Sequence, residues 1–189
     1  MLRFEEVVPG VFVTAGVNFA GMMAMAELAQ RYADEEGRGI SALMYRFHRG
    51  RAVQHIPEEP VAAKLKTLQF TLMTADYASQ KQLLDKFHER KAIDIFVASC
   101  QLMQGADGTV VTMGVWTEGV STLLPKTTIV VLNRLDANKQ PIEMVAVAWD
   151  ELMNKTGALK LLDTAYPPRY RTTEFPPKAV RDTLVTFGQ

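Results

Sequence analysis

Between residues 92 and 149 the chain alternates short β-branched runs with turn residues, at a spacing that leaves room for strands and for nothing longer. Residues 93–103 read as the first strand, ended by Gly105-Ala106-Asp107-Gly108, and a second begins at Thr109. Glu118-Gly119 lies between two extended runs. A two-residue hairpin there sets Thr117 opposite Val120, Val115 opposite Thr122 and Met113 opposite Leu124. That register gathers Val111, Met113, Val115, Val120 and Leu124 on a packing face and leaves Thr112, Gly114, Trp116, Ser121 and Leu123 on a partly buried one. Pro125, which can donate no ladder hydrogen bond, ends the strand. Residues 127–135 and 142–149, joined by a polar loop from Asp136 to Pro141, are apolar on both faces and are expected as central strands covered on two sides.

Around this sheet the pattern turns helical. Asn18 is placed to cap a helix over residues 19–36 that stops at Gly37 and Gly39, with Phe19, Met22, Met23, Leu28, Ala29 and Tyr32 on its apolar face. A short strand at residues 11–14 and another at 40–47 make a strand–helix–strand unit of it. Pro60 opens one or two helical turns, Leu68, Phe70 and Leu72 alternate with polar residues as in a strand, and a helix follows from Ala75 or Asp76 to Lys91 with Leu83, Leu84 and Phe87 inward. The uncharged run at residues 7–26 lacks the basic start of a secretory signal, and Pro9, Gly10, Gly16 and Asn18 interrupt it too often for a membrane span.

The chain of 189 residues is 48% hydrophobic, enough for one substantial core, and Lys plus Arg equals Asp plus Glu at 21 each, a balance that holds in both halves. With no basic surplus, no nucleic acid is expected as a partner. The lone cysteine, Cys100, allows no internal disulfide, suits a reducing, cytoplasmic setting, and reads as a buried inert thiol.

Thr14-Ala15-Gly16, with Gly21 opening a helix, resembles the glycine-rich turn of short-chain dehydrogenases, and Tyr77-Ala78-Ser79-Gln80-Lys81 resembles their Tyr-x-x-x-Lys pair. The resemblance implies a cofactor pyrophosphate at the helix N-terminus and a lysine-assisted tyrosine for proton transfer. Ala15 stands where that family has glycine, the intermediate glycine is missing, and the two motifs lie too close together to hold the family's intervening strands. The residues are therefore read as a helix cap and a solvated helix face, and no cofactor is expected. No Ser/His/Asp signature, metal-ligand spacing or phosphate-binding lysine loop accompanies them.

One constellation points to binding. If Arg49-Gly50 is a two-residue hairpin turn, His48 faces Arg51, Arg46 faces Val53 and Met44 faces His55, and all six side chains share one face. Arg46, His48, Arg51 and His55 then form a cationic strip suited to a phosphate or carboxylate, because arginine offers paired donors to such groups. His48 and His55 lie too far apart along that ladder to share a metal ion, and no metal is expected. His88, among helix charges, reads as an exposed helix residue.

Asp150 is placed to cap a short helix that closes near Gly157, and residues 158–162 add an apolar segment. Tyr166-Pro167-Pro168-Arg169-Tyr170-Arg171 is expected to be extended, and Pro176-Pro177 precede a last helix with Val180, Leu184 and Phe187 on one stripe. That stripe needs a cover, either the same domain or a second copy in a homodimer.

The expected fold is α+β: a mainly antiparallel mixed sheet covered by helices in one domain over residues 1–164, with a C-terminal arm over 165–189. The expected function is that of an accessory or binding protein recognising a protein partner or a small anionic ligand. The alternative is a small enzyme acting on an anionic metabolite with His48 or His55 as acid or base.

Overall fold

The computed structural model describes residues 18–36, 41–105 and 108–187. The chain divides into two compact units, Met1–Leu72 and Met73–Gln189. The first holds helix α1 (Phe19–Glu36), the hairpin of β1 (Met44–His48) and β2 (Arg51–His55), and the opening turns of α2 (Val61–Lys91), a helix that continues into the second. The second carries β3 (Phe96–Val97), β4 (Gln101–Gln104), β5 (Val110–Thr117), β6 (Thr122–Pro125), β7 (Ile129–Leu135), β8 (Pro141–Ala148), α3 (Trp149–Thr156), β9 (Leu159–Leu162), β10 (Arg169–Thr172) and α4 (Lys178–Arg181).

Helix α1 begins where the cap residue predicts. Asn18 Oδ1 accepts from the Gly21 amide at 2.7 Å, satisfying one of the donors that a helix start leaves unpaired. Ala26 and Ala29 are buried on its inner side, whereas Phe19, expected there, is exposed. The strand expected at residues 11–14 and the helix stop at Gly37 and Gly39 lie outside the described residues. Among the described residues β1 pairs with β2 alone.

Helix α2 corrects the reading of residues 60–91. It is one helix of 31 residues where two helices and an intervening strand were expected. The alternation of Thr67, Leu68, Gln69, Phe70, Thr71 and Leu72 is too short to fix a period. The threonine hydroxyls that favour strands here back-bond along the helix, Thr67 to the Ala63 carbonyl and Thr71 to the Thr67 carbonyl, both at 3.1 Å. Val61, Leu68 and Tyr77 are its buried positions, while Leu83 and Phe87, expected inward, are exposed. His88 is half-buried rather than exposed: its Nδ1 bonds the Ile95 carbonyl at 2.9 Å and its own carbonyl accepts from the Ile93 amide, closing the helix end.

The second unit packs two four-stranded sheets, β4-β5-β7-β8 and β3-β6-β10-β9, around one core. Pairing is antiparallel except for β5 with β7 and β3 with β6, so the α+β fold with a mixed, mainly antiparallel set of strands is as expected. The expected first strand is divided between the sheets as β3 and β4. The expected β5–β6 hairpin does not form. Only Gly119, at φ 77°, has a positive φ in that turn, whereas both hairpin turns that match strand twist need it at the first central residue, here Glu118. Freed from pairing, β6 crosses to the other sheet and lies over β5. A Cβ placed on Gly114 would meet the Pro125 Cγ and Thr127 Oγ1 at 3.5 Å, ordinary van der Waals contact, so the segment around β6 packs directly on β5 here. This also exchanges the faces of β5: Thr112, Gly114 and Trp116 are buried, and Val111, Met113 and Val115 are half-buried.

The core joins Trp116, Leu124, Val130, Leu132, Val147, Trp149, Leu152 and Leu159. Trp116 meets Phe175 edge-on with centroids 5.1 Å apart, and Trp149 meets Tyr170 edge-on at 4.8 Å. Strand β7 is covered as expected, but β8 is an edge strand with Ile142 and Met144 exposed. Helix α3 ends at Gly157 as expected, in the left-handed conformation at φ 58°, although its N-cap is Ala148 and not Asp150. The C-terminal stripe is shorter than expected. Helix α4 is a single turn, Leu184 enters the core, Thr186 bridges to Val147, and Phe187 is exposed.

One buried cation ties helix α2 to the β3-β6-β10-β9 sheet. Arg169, fully buried in β10, donates through Nη1 to the carbonyls of Ala98 at 2.8 Å and Leu123 at 3.0 Å, through Nη2 to that of Tyr77 at 3.3 Å, and through Nε to Gln80 Oε1 at 2.5 Å. All four acceptors are uncharged. Burial pulls the guanidinium down to about 10, so it remains protonated at neutral pH. Its desolvation is offset by charge-assisted hydrogen bonds and by the Tyr77 ring, 5.2 Å away. Tyr77 donates its hydroxyl to the Pro168 carbonyl at 2.6 Å and accepts from the Lys126 amide at 3.0 Å, while Gln80 Nε2 donates to the Pro167 carbonyl at 2.8 Å.

Replacing this donor set strands buried acceptors. Arg169→Met is expected to cost about 3 kcal/mol or more in urea unfolding, at roughly 1–3 kcal/mol for each unsatisfied group. Arg169→Lys recovers little of it, because an ammonium cannot reproduce the planar fork. A loss under about 1 kcal/mol for Arg169→Met would show that the cage is not what holds α2 on that sheet.

Candidate functional site

The β1–β2 hairpin has the register that its turn predicts. Arg49 and Gly50 take φ values of 49° and 75°, the two positive angles of a type I′ turn, and the pairs are His48 with Arg51, Arg46 with Val53, and Met44 with His55. One face therefore carries Met44, Arg46, His48, Arg51, Val53 and His55. Arg46, His48 and Arg51 are exposed, and His55 is half-buried at the base with Nε2 out of solvent and without a hydrogen-bond partner. The opposite face carries Tyr45 and Phe47, 52% and 74% exposed. Leu43 and Ile56 extend the exposed apolar surface at the two strand ends.

The electrostatics of the hairpin differ from those of the whole chain. No aspartate or glutamate occurs from residue 37 to residue 57, an interval that includes Arg46, Arg49 and Arg51. Among the described residues none of these three arginines forms an ion pair. Unpaired guanidinium groups along one exposed ladder can take carboxylates or phosphates from solution. His48 and His55 sit four positions apart in register (48 minus 44, the partner of His55), or about 13 Å at a strand's rise. Among the described residues no three His, Cys, Asp or Glu side chains are grouped to hold a metal ion.

Other polar groups serve the fold. Tyr77 and Lys81 do not act as a pair: Tyr77 holds the backbone of Pro168 and Lys126, and Lys81 bonds Asp85 at 2.8 Å. Cys100 is buried, its Sγ 3.8 Å from Thr74 Oγ1, and burial raises the thiol above its usual value, which disfavours the reactive thiolate. Glu143 accepts from Arg181 Nη2 and Arg134 Nη1, both at 2.9 Å, and Arg134 also reaches Glu118 at 2.8 Å. Buried Arg181 further donates to the Pro176 carbonyl at 2.7 Å, anchoring the C-terminal segment to β8. Arg169, Arg181 and Glu143 were not singled out from the sequence. Their partners lie as far as 92, 38 and 38 residues away, and no local pattern marks them.

No described helix is long and apolar enough to cross a membrane. The chain matches no protein-family model, no curated protein and no solved structure.

The two arginines, Arg181 foremost, hold the Glu143 carboxyl down at about 2 from an ordinary 4.5. A carboxyl lowered in the folded state stabilises the protein above its unfolded value and loses that contribution as pH falls toward 2. In acid titration monitored by circular dichroism, Glu143→Gln is expected to lower stability at pH 7 and to remove part of the decline between about pH 4.5 and 2. An unchanged acid limb would show that this cluster does not couple to folding.

Proposed function

We propose that this protein is a binding protein that holds an anionic partner, a protein surface or a small anionic ligand, on the cationic face of the β1–β2 hairpin. The observation that carries this reading is the hairpin register, which brings Arg46, His48 and Arg51 onto one exposed face while, among the described residues, the arginines have no acidic partner. Exposed cations in fixed register give selectivity for an anion and speed its capture, and salt weakens both effects. Acid–base catalysis asks for something else: a histidine in a concave site beside a second polar group. The exposure of His48 on a ladder face favours binding over that alternative.

A thermal-shift screen against nucleotides, phosphorylated metabolites, carboxylates and acidic peptides tests the reading. A ligand specific to the folded state at a hundredfold excess over its Kd stabilises by about 2.7 kcal/mol. Arg46→Ala combined with Arg51→Ala is expected to abolish the shift while changing unliganded stability by no more than about 0.5 kcal/mol per site, as is usual at exposed positions. A shift that survives the double substitution would place the binding elsewhere.

A further inference from the structure

Among the described residues the hairpin has unpaired edges as well as a charged face. In an antiparallel ladder, directly opposed residues alternate between pairs that exchange both backbone hydrogen bonds and pairs that exchange none. The pair flanking a two-residue turn is of the bonded kind, so His48–Arg51, Arg46–Val53 and Met44–His55 direct their N–H and C=O groups inward. Tyr45 and Phe47 on β1, and Ala52 and Gln54 on β2, direct theirs outward. Among the described residues neither edge has a third strand. Such an edge is a template for an added strand.

Resting on the binding reading above, we propose that the β1 edge takes a protein partner by strand addition, and that the partner supplies an extended segment in which acidic residues alternate with apolar ones. Side chains of an added strand project alternately to the two faces. On one face they fall beside Arg46 and His48, where carboxylates complement the unpaired charge. On the other they fall beside Tyr45 and Phe47, which are exposed aromatic surface. The β2 edge offers Arg51 and His55 on one face but only Ala52 and Gln54 on the other, so it lacks the apolar half of the match. Residues 43–56 contain Arg, Tyr, Phe and Met and no Lys, Glu, Asp or Ser, the composition enriched at the centres of protein interfaces. Arginine and aromatic rings lie on opposite faces, and a single-stranded nucleic acid that stacks bases and pairs phosphates on one surface does not use that arrangement.

The test uses the full chain and a fluorescent ten-residue peptide alternating glutamate with valine, read by anisotropy. Three comparators accompany it: a peptide of the same composition with the glutamates in one block, inorganic polyphosphate and a mixed-sequence DNA oligonucleotide. The alternating peptide is expected to bind about tenfold tighter than the blocked one, a difference of roughly 1.4 kcal/mol. Tyr45→Pro, which removes an outward N–H, is expected to weaken it well beyond Tyr45→Ala, while Gln54→Pro on the other edge leaves it unchanged. Amide hydrogen exchange on the unaltered protein gives a readout independent of proline's effect on folding: the peptide should protect Tyr45 and Phe47 and not Ala52 and Gln54. Equal binding of alternating and blocked peptides, or no protection at Tyr45 and Phe47, overturns strand addition. If polyphosphate binds and loses affinity in the Arg46→Ala, Arg51→Ala protein while the alternating peptide does not bind, strand addition fails and the anion-binding reading stands. If no anion binds, both fail. Tighter binding of the oligonucleotide than of the peptide overturns the protein partner in favour of nucleic acid.

Discussion

The second unit depends on a buried positive charge that is held by uncharged hydrogen-bond acceptors. Arg169 meets carbonyls and an amide oxygen from α2, β6 and the segment after β3, elements that the sequence supplies far apart. A carboxylate there would satisfy the charge through one side chain and bring the desolvation of a second ion. Neutral acceptors spread the same donors over four places. The guanidinium's rigid plane makes those places consistent with one another, which apolar packing alone, being non-directional, does not require. Helix α2 is thereby fixed on the β3-β6-β10-β9 sheet by hydrogen bonds, while Trp116, Trp149 and their aromatic neighbours fill the core that the two sheets share.

A second constraint acts through backbone angles. Two dipeptides, Arg49-Gly50 and Glu118-Gly119, stand between extended runs and look alike on paper. In the first, both residues take positive φ and the strands pair. In the second only the glycine does, and the strands part into different sheets. Neighbours decide the difference. Strand β5 is already flanked by β4 and β7, whereas β1 has no partner but β2 among the described residues. A left-handed angle at arginine costs energy that pairing can offset, whereas beside Glu118 both edges of β5 are already paired and no such gain is on offer.

These contrasts separate what the sequence makes legible from what it does not. Asn18 as the cap of α1, the register of Arg46, His48, Arg51 and His55 and the closure of α3 at Gly157 follow from interactions within a few residues, and local chemistry is what a sequence exposes. The long α2 was not legible because six residues of alternating threonine and apolar side chains satisfy either period. The crossing of β6 over β5, the Arg169 cage and the Glu143 cluster depend on pairs separated by tens of residues. The candidate site was nearly all visible in the sequence, except for its free edges and its aromatic reverse face. Those emerge only once the hairpin is seen to have two strands among the described residues.

The neutral net charge hid the same site from a composition argument. A balance of 21 against 21 over the whole chain coexists with an interval of residues 37–57 that has no acidic group at all. Screening makes the local number the relevant one, since charges beyond about 8–10 Å scarcely act on one another across solvent at physiological salt. A two-stranded ribbon with both faces wet is marginal on its own, and three strands with a covered face are the usual minimum for independent stability. A partner strand on β1 would supply the third strand, cover Tyr45 and Phe47, and neutralise Arg46 together. Strand pairing, apolar burial and charge thus favour one and the same event at this edge, and binding there would stabilise the hairpin as well as hold the partner.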